Sequence, residues 1–229
     1  MNFYIIDKKP SGDEGVERFR TDFHFDDGDA TGDASTCPEC GEFIGLLESL
    51  PPYHVHLETW GEGFGDVAFW LKEFLVSSRF RDEFKRSGLK GLSSFEPVEI
   101  LSQRRFGKSR GKRLKPPEYF RVLPKIGAAR INVDASGVEW KDNKRPTRKW
   151  CLSGAGGLMR WKRLVVDESS WKGEDIFYAF GISGTLLTTS RFYEWAQVHD
   201  FRNLIMKPAV ECSHDFYPRE KSSSTHNGV

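Results

Sequence analysis

At 229 residues, with 38% hydrophobic and 14% aromatic side chains, the chain can bury a large core and is not disordered by composition. Four cysteines are too few for a disulfide scaffold, and no stretch approaches the roughly 20 apolar residues of a membrane span. The formal net charge of +1 points to no partner by itself; the distribution of that charge says more.

In chain order, NFYII at the start reads as a strand, and its apolar run is too short for a signal-peptide core, so the expected location is cytoplasmic. Residues 11–36, polar and rich in Gly, Ser and Thr, read as a loop. Ten acids lie between Gly12 and Glu42, against only Arg18 and Arg20. CPECG follows at 37–41. Two residues between the cysteines let one tight turn aim both thiolates at one metal, and the glycine tolerates positive φ. A full structural zinc site needs four ligands. The best candidate for a second pair is CLSGAGG at 151–157, where Gly154 stands in place of a second cysteine. Three readings stay open: zinc held by Cys37, Cys40, Cys151 and an unknown fourth ligand; a relic turn without metal; or a redox dithiol, which lacks a thioredoxin-like setting here.

PPYHVHLETW at 51–60 alternates like a strand, with His54, His56 and Glu58 on one face as a second, less specific metal candidate. GEGFGD is a turn. Residues 74–100 then echo residues 186–211. Ser78-Arg79-Phe80 returns as Ser190-Arg191-Phe192, 112 residues later, and Leu89, Leu92 and Pro97 meet Phe201, Leu204 and Pro208. Each copy reads as strand, helix, strand. Ser78 and Ser190 are the expected helix N-caps, Gly88 is the C′ residue of the first helix, and each internal proline suggests an edge or a bulge. Between the copies lie a basic loop at 101–116 and a strand in EYFRVLP. Seven bases and no acid fall between Arg104 and Lys115. Further β-like segments are ARINVDASGVEW and RWKRLVV.

These elements predict an α+β fold: a mixed sheet with two repeated strand–helix–strand units and a small zinc-ribbon-like cysteine-turn lobe around 35–60. It forms one domain over 1–218, with a disordered tail over 219–229. No phosphate loop, nucleophile elbow or H-E-x-x-H motif is present, so a non-enzymatic role is expected. The basic runs interleave with Phe106, Trp140 and Trp150, a pattern suited to phosphates and stacked bases, but the acids near the cysteine pair would repel nucleic acid. A carboxylate-rich surface suits a basic protein instead.

CPECG, FGDVAFW at 64–70, the LVSSRFRDEFKRSGLKGLSSFEPVE unit, KPPEYFRV at 115–122 and DIFYAFGISGTLLTTSRF occur in an order and spacing that resembles the double-CxxCG (myxobacterial paralogous) family of bacterial immunity proteins. The likeness runs from about residue 35 to about residue 212. It departs at the second CxxCG, of which only Cys151 remains. The resemblance implies a protein that binds and occludes a cognate toxin encoded beside it. Asp26, Asp27, Asp29 and Asp33 are then the expected toxin-facing residues. The alternative is a zinc-ribbon-like nucleic-acid-binding protein using residues 104–115.

Overall fold

The computed structural model describes residues 1–7, 18–37, 41, 43, 47–70, 73–106, 114–141, 158–182 and 184–215. The described elements are, in order, β1 (Phe3–Asp7), β2 (Thr21–Phe25), β3 (Tyr53–Trp60), β4 (Val67–Trp70), β5 (Glu73–Ser77), α1 (Ser78–Ser87), β6 (Leu92–Phe106), β7 (Tyr119–Pro124), β8 (Arg130–Ile131), β9 (Glu139–Trp140), β10 (Leu158–Trp161), β11 (Val166–Asp167), β12 (Ile176–Tyr178), β13 (Leu186–Thr189), α2 (Ser190–His199), β14 (Ile205–Pro208) and β15 (His214–Asp215).

Alternation in YHVHLETW buries Tyr53, Val55, Leu57 and Thr59 and leaves the intervening side chains half-exposed. β3 pairs antiparallel with β2 and parallel with β6, and β7, β5 and β4 complete a closed barrel in the order β2-β3-β6-β7-β5-β4. Phe23, Val55, Leu57, Phe64, Ala68, Leu75 and Tyr119 fill one core with this barrel. Closure removes the exposed edges that an open sheet would present. The mixed α+β class therefore stands, but the zinc-ribbon-like lobe does not. Residues 31–50 are an excursion between β2 and β3, closed by an isolated bridge from Thr31 to Ser49, and β3 itself belongs to the barrel. Two supposed loops are partly strand as well: β2 lies within the acidic stretch, and β6 runs on to Phe106.

A second sheet, all antiparallel, has the order β12-β13-β1-β14. It matches the β4-β5-β7-β6 part of the barrel strand for strand. Ser77 pairs with Tyr119 as Thr189 pairs with Phe3, and Pro97 faces Phe120 as Pro208 faces Tyr4. The sequence echo is thus a repeated β-β-α-β unit with a fourth strand inserted in its sheet. In the first unit that strand, β7, follows the unit; in the second it is β1, at the opposite end of the chain. Both prolines are tolerated for the reason their sequence suggested. β14 is an edge strand, and Pro97 sits just before β6 begins pairing with β3 at Val98.

Both helices are capped one residue earlier than expected. Ser77 and Thr189, not Ser78 and Ser190, accept the N–H of Phe80 and Phe192. A cap needs extended backbone, and the last strand residue already has it (ψ 162° and 167°). Gly88 ends α1 in the left-handed region at φ 69°, as expected.

The two units lock reciprocally. Arg79 pairs with Asp66 and donates to the carbonyls of His199 and Asp200 at the end of α2. Arg191 pairs with Asp175 and donates to the carbonyls of Ser87 and Gly88 at the end of α1. Each arginine of the Ser-Arg-Phe motif so places a cation on the negative end of the other copy's helix, as across a two-fold axis. The aspartates match in detail. Asp66 accepts from Ser77 Oγ (2.8 Å) and the Arg202 N–H (3.0 Å); Asp175 accepts from Thr189 Oγ1 (3.0 Å) and the Lys90 N–H (2.9 Å). At this joint Gly91 (φ 120°) has no room for a side chain, since a Cβ would lie 1.8 Å from the Ile176 carbonyl. Between the units Phe80 packs on Trp195 and Phe201, with ring centroids 5.3 and 4.8 Å apart, inside one core shared by both.

Candidate protein-binding site

Strand direction defines two ends of the barrel; among the described residues, Asp26, Asp27 and Asp29 fall at one end and Arg104 and Arg105 at the other, where Asp22 pairs with Arg20 and Glu62 with Arg18. The end of β2, the starts of β3 and β5, and Glu96 of β6 form an acidic end. The start of β2 and the ends of β3 and β6 gather Arg18, Arg20, Arg104 and Arg105 at the other.

The acidic end is organised from within by Arg121. On β7 its side chain follows Tyr119 onto the barrel's inner face, and it is only 1% exposed. Its Nε donates to Glu73 at 2.8 Å and its Nη1 to the Tyr53 hydroxyl at 3.2 Å, while Tyr53 donates to Glu96 at 2.6 Å. Burial, with the Glu96 hydrogen bond second, pushes the Tyr53 phenol up to about 12. Glu48 and Glu96 lie 3.7 and 3.8 Å from Arg121 Nη1 and stay accessible to solvent. Three carboxylates thus share one guanidinium, and the balance at this mouth is negative. The excursion that leaves from and returns to this end carries exposed Phe43, Leu47 and Leu50, and Trp70 is exposed at the end of β4.

The four aspartates singled out by sequence separate into different roles. Asp27 and Asp33 are exposed. Asp29 is structural: its side chain is 7% exposed, and it accepts the His54 N–H (2.9 Å) and bonds His54 Nδ1 (2.7 Å). Asp26 is intermediate, bonded to His56 Nε2 at 3.0 Å and to the Gly28 N–H, while His56 Nδ1 reaches Ser102. The histidine face of β3 therefore ties down the turn at 26–29. Among the described residues, no group of three or more His, Cys, Asp or Glu is arranged to hold a metal.

The Asp29 hydrogen bond raises the His54 pKa above 6.5, while the bond to His56, then the Gly28 N–H, lowers that of Asp26 below 3.8. The signs are opposite. The His54 contribution is complete below about pH 6.5 and is lost as pH rises through the raised value, whereas the Asp26 contribution is present above about pH 4 and is lost as pH falls through the lowered one. In a proton NMR titration, the His54 ring resonances are expected to shift above pH 6.5, and Asp29→Asn to return the midpoint towards that value. A wild-type midpoint at or below 6.5 would refute the pairing.

Cys40 and Cys151 lie outside the described residues, as do Lys108, Arg110, Lys112, Arg113 and the tail. Cys37 is buried, and the Gly41 N–H donates to its carbonyl at 2.8 Å, with φ 73° at Gly41. At the other end, Trp60 and Phe106 stack at 4.9 Å, with Arg20 over Trp60 and Arg104 over Phe106. Among the described residues, no helix is long and apolar enough to cross a membrane.

Sequence reasoning missed Arg121 and its carboxylates. The available signal was the lone arginine in EYFRVLP, on the strand face shared with Tyr119. Comparison of the sequence with known proteins finds no matching family model and no significantly similar curated protein.

Proposed function

We propose that this protein is an immunity-type binding protein that docks a basic protein toxin through the acidic end of its barrel and blocks it by occlusion. The observation that carries this reading is a carboxylate-rich mouth set beside exposed apolar side chains. Protein interfaces take this form, with apolar anchors supplying affinity and a charged rim steering the encounter. Trp70 and Leu50 are the anchors nearest the mouth, Glu48, Glu96, Asp27 and Asp33 form the rim, and Asp29 holds the surface in shape. The resemblance to bacterial immunity proteins supports the same role, one that needs no metal and no bond-making step.

The test uses the candidate toxin encoded by the adjacent gene. Asp27→Lys, Asp33→Lys and Glu48→Lys together are expected to weaken binding about 100-fold and to flatten its salt dependence. Unchanged affinity would reject the acidic end as the contact. A second reading, nucleic-acid binding through the arginine-bearing end, is favoured by Arg20 and Arg104 lying over the Trp60–Phe106 stack. It demands steeply salt-dependent binding of oligonucleotides.

A further inference from the structure

A groove of about 680 Å³ opens where the end of the barrel opposite the acidic mouth meets the joint between the two units, a volume within the range of about 300–1,000 Å³ typical of ligand pockets. Its apolar lining comes from Phe19, Phe64, Leu114, Pro116 and Pro117. Arg79, Lys115 and Arg202 also line it, and all three are exposed.

The charges in this groove are not balanced. The two acids that line it are already committed, Asp66 to Arg79 and Glu62 to Arg18. Lys115 and Arg202 make no ion pair among the described residues; the Arg202 guanidinium lies over the Phe19 ring, its Cζ 4.4 Å from the centroid, and so is held in place without being neutralised. Two unpaired cations therefore border an apolar trough. The walls are also stiff. Tyr119 donates to the Gly65 carbonyl at 2.6 Å, and the Gly65 N–H is held by Thr21. Gly65 itself has no space for a side chain, since a Cβ would lie 2.5 Å from that of Asn203.

We infer that this groove binds an acidic peptide segment of another protein, with apolar side chains in the trough and isolated carboxylates on Lys115 and Arg202. A polynucleotide fits less well. It brings closely spaced phosphates, whereas this lining offers only two isolated cations that make no ion pair, Lys115 and Arg202, the other charges on it being paired already. A peptide can space its carboxylates and offer the apolar contact that the proline and phenylalanine surfaces ask for. The site is separate from the acidic mouth and does not rest on the toxin reading.

Fluorescence anisotropy of the full chain tests it with three labelled probes: a short peptide of glutamate, leucine and proline, the same peptide with glutamine for glutamate, and a single-stranded oligothymidylate. The glutamate peptide is expected to bind at least about ten-fold more tightly than either of the others. Lys115→Glu combined with Arg202→Glu is expected to abolish that preference with the circular dichroism spectrum unchanged. Should the double reversal fail to fold, Lys115→Ala with Arg202→Ala decides the matter by a smaller loss in the same direction. Equal binding of the glutamine peptide, no binding of any peptide, or tighter binding of the oligothymidylate would each overturn the inference.

Discussion

Deletion of residues 1–7 is expected to abolish folding. β1 lies between β13 and β14, so its loss breaks two strand ladders at once and strips Phe3 and Ile6 from two cores. Each such side chain stabilises the fold by about 1.5–3 kcal/mol through burial alone, and a domain's whole margin is about 5–15 kcal/mol. An N-terminal strand without such a partnership would be trimmed at little cost. Here it completes the second repeat, in the place β7 fills in the first. Far-UV circular dichroism with urea titration is the measurement; a truncated chain that still unfolds cooperatively at the wild-type midpoint would refute the assigned place of β1.

The second large effect is expected at the paired aspartates. Asp66→Ala leaves the Ser77 hydroxyl and the Arg202 N–H without an acceptor and Arg79 without its carboxylate. Loss of hydrogen bonds to a buried charge costs about 1.5–3 kcal/mol each in favourable cases, and Arg79 is half-exposed and screened, so a total of about 3 kcal/mol is expected. Asp175→Ala should cost about the same, because its partners are the equivalent ones. The double variant then loses much of the stability available to a domain, about 5–15 kcal/mol. Arg79→Lys separates charge from geometry, since an ammonium cannot span the carboxylate and two carbonyls as a guanidinium fork does. Urea midpoints read all four; a marked asymmetry between Asp66→Ala and Asp175→Ala would contradict the two-fold joint.

The sequence disclosed this repeat only in part, and for physical reasons. Ser-Arg-Phe was visible because the clasp needs the arginine and the shared core needs the phenylalanine directly after it, one turn into a helix whose caps, Ser77 and Thr189, stand just before the motif. Asp66 and Asp175 each precede an apolar run, yet nothing local marks them as each other's counterparts, since the loops between β4 and β5 and between β12 and β13 differ in length. The match of β1 to β7 was hidden because one strand precedes its unit and the other follows it. The barrel left little trace: β3 and β6 pair in parallel across an intervening hairpin and helix, and no local pattern reports such pairing. β2 was masked by the acidic stretch around it, although Thr21, Phe23 and Phe25 do alternate. At the acidic end, Asp29 looked like any loop carboxylate, and only its contact with His54 shows that it is a fastener.

The polarised barrel also accounts for a feature that net charge concealed. Acids and bases are nearly equal in number, but at the barrel they are unevenly placed: Glu48, Glu73 and Glu96 gather around Arg121 at one end, and Arg18, Arg20, Arg104 and Arg105 lie at the other, where Glu62 and Asp22 pair with the first two. Under the proposed function, a basic protein would be drawn to the acidic end, and that steering would orient the encounter before contact.

Co-expression with the product of the adjacent gene, followed by co-purification at low and high salt, tests the central claim most directly. The account predicts a stoichiometric complex that rescues growth and that Asp27→Lys, Asp33→Lys and Glu48→Lys together disrupt. A complex that survives those reversals unchanged, or no complex and no toxicity to rescue, would contradict it.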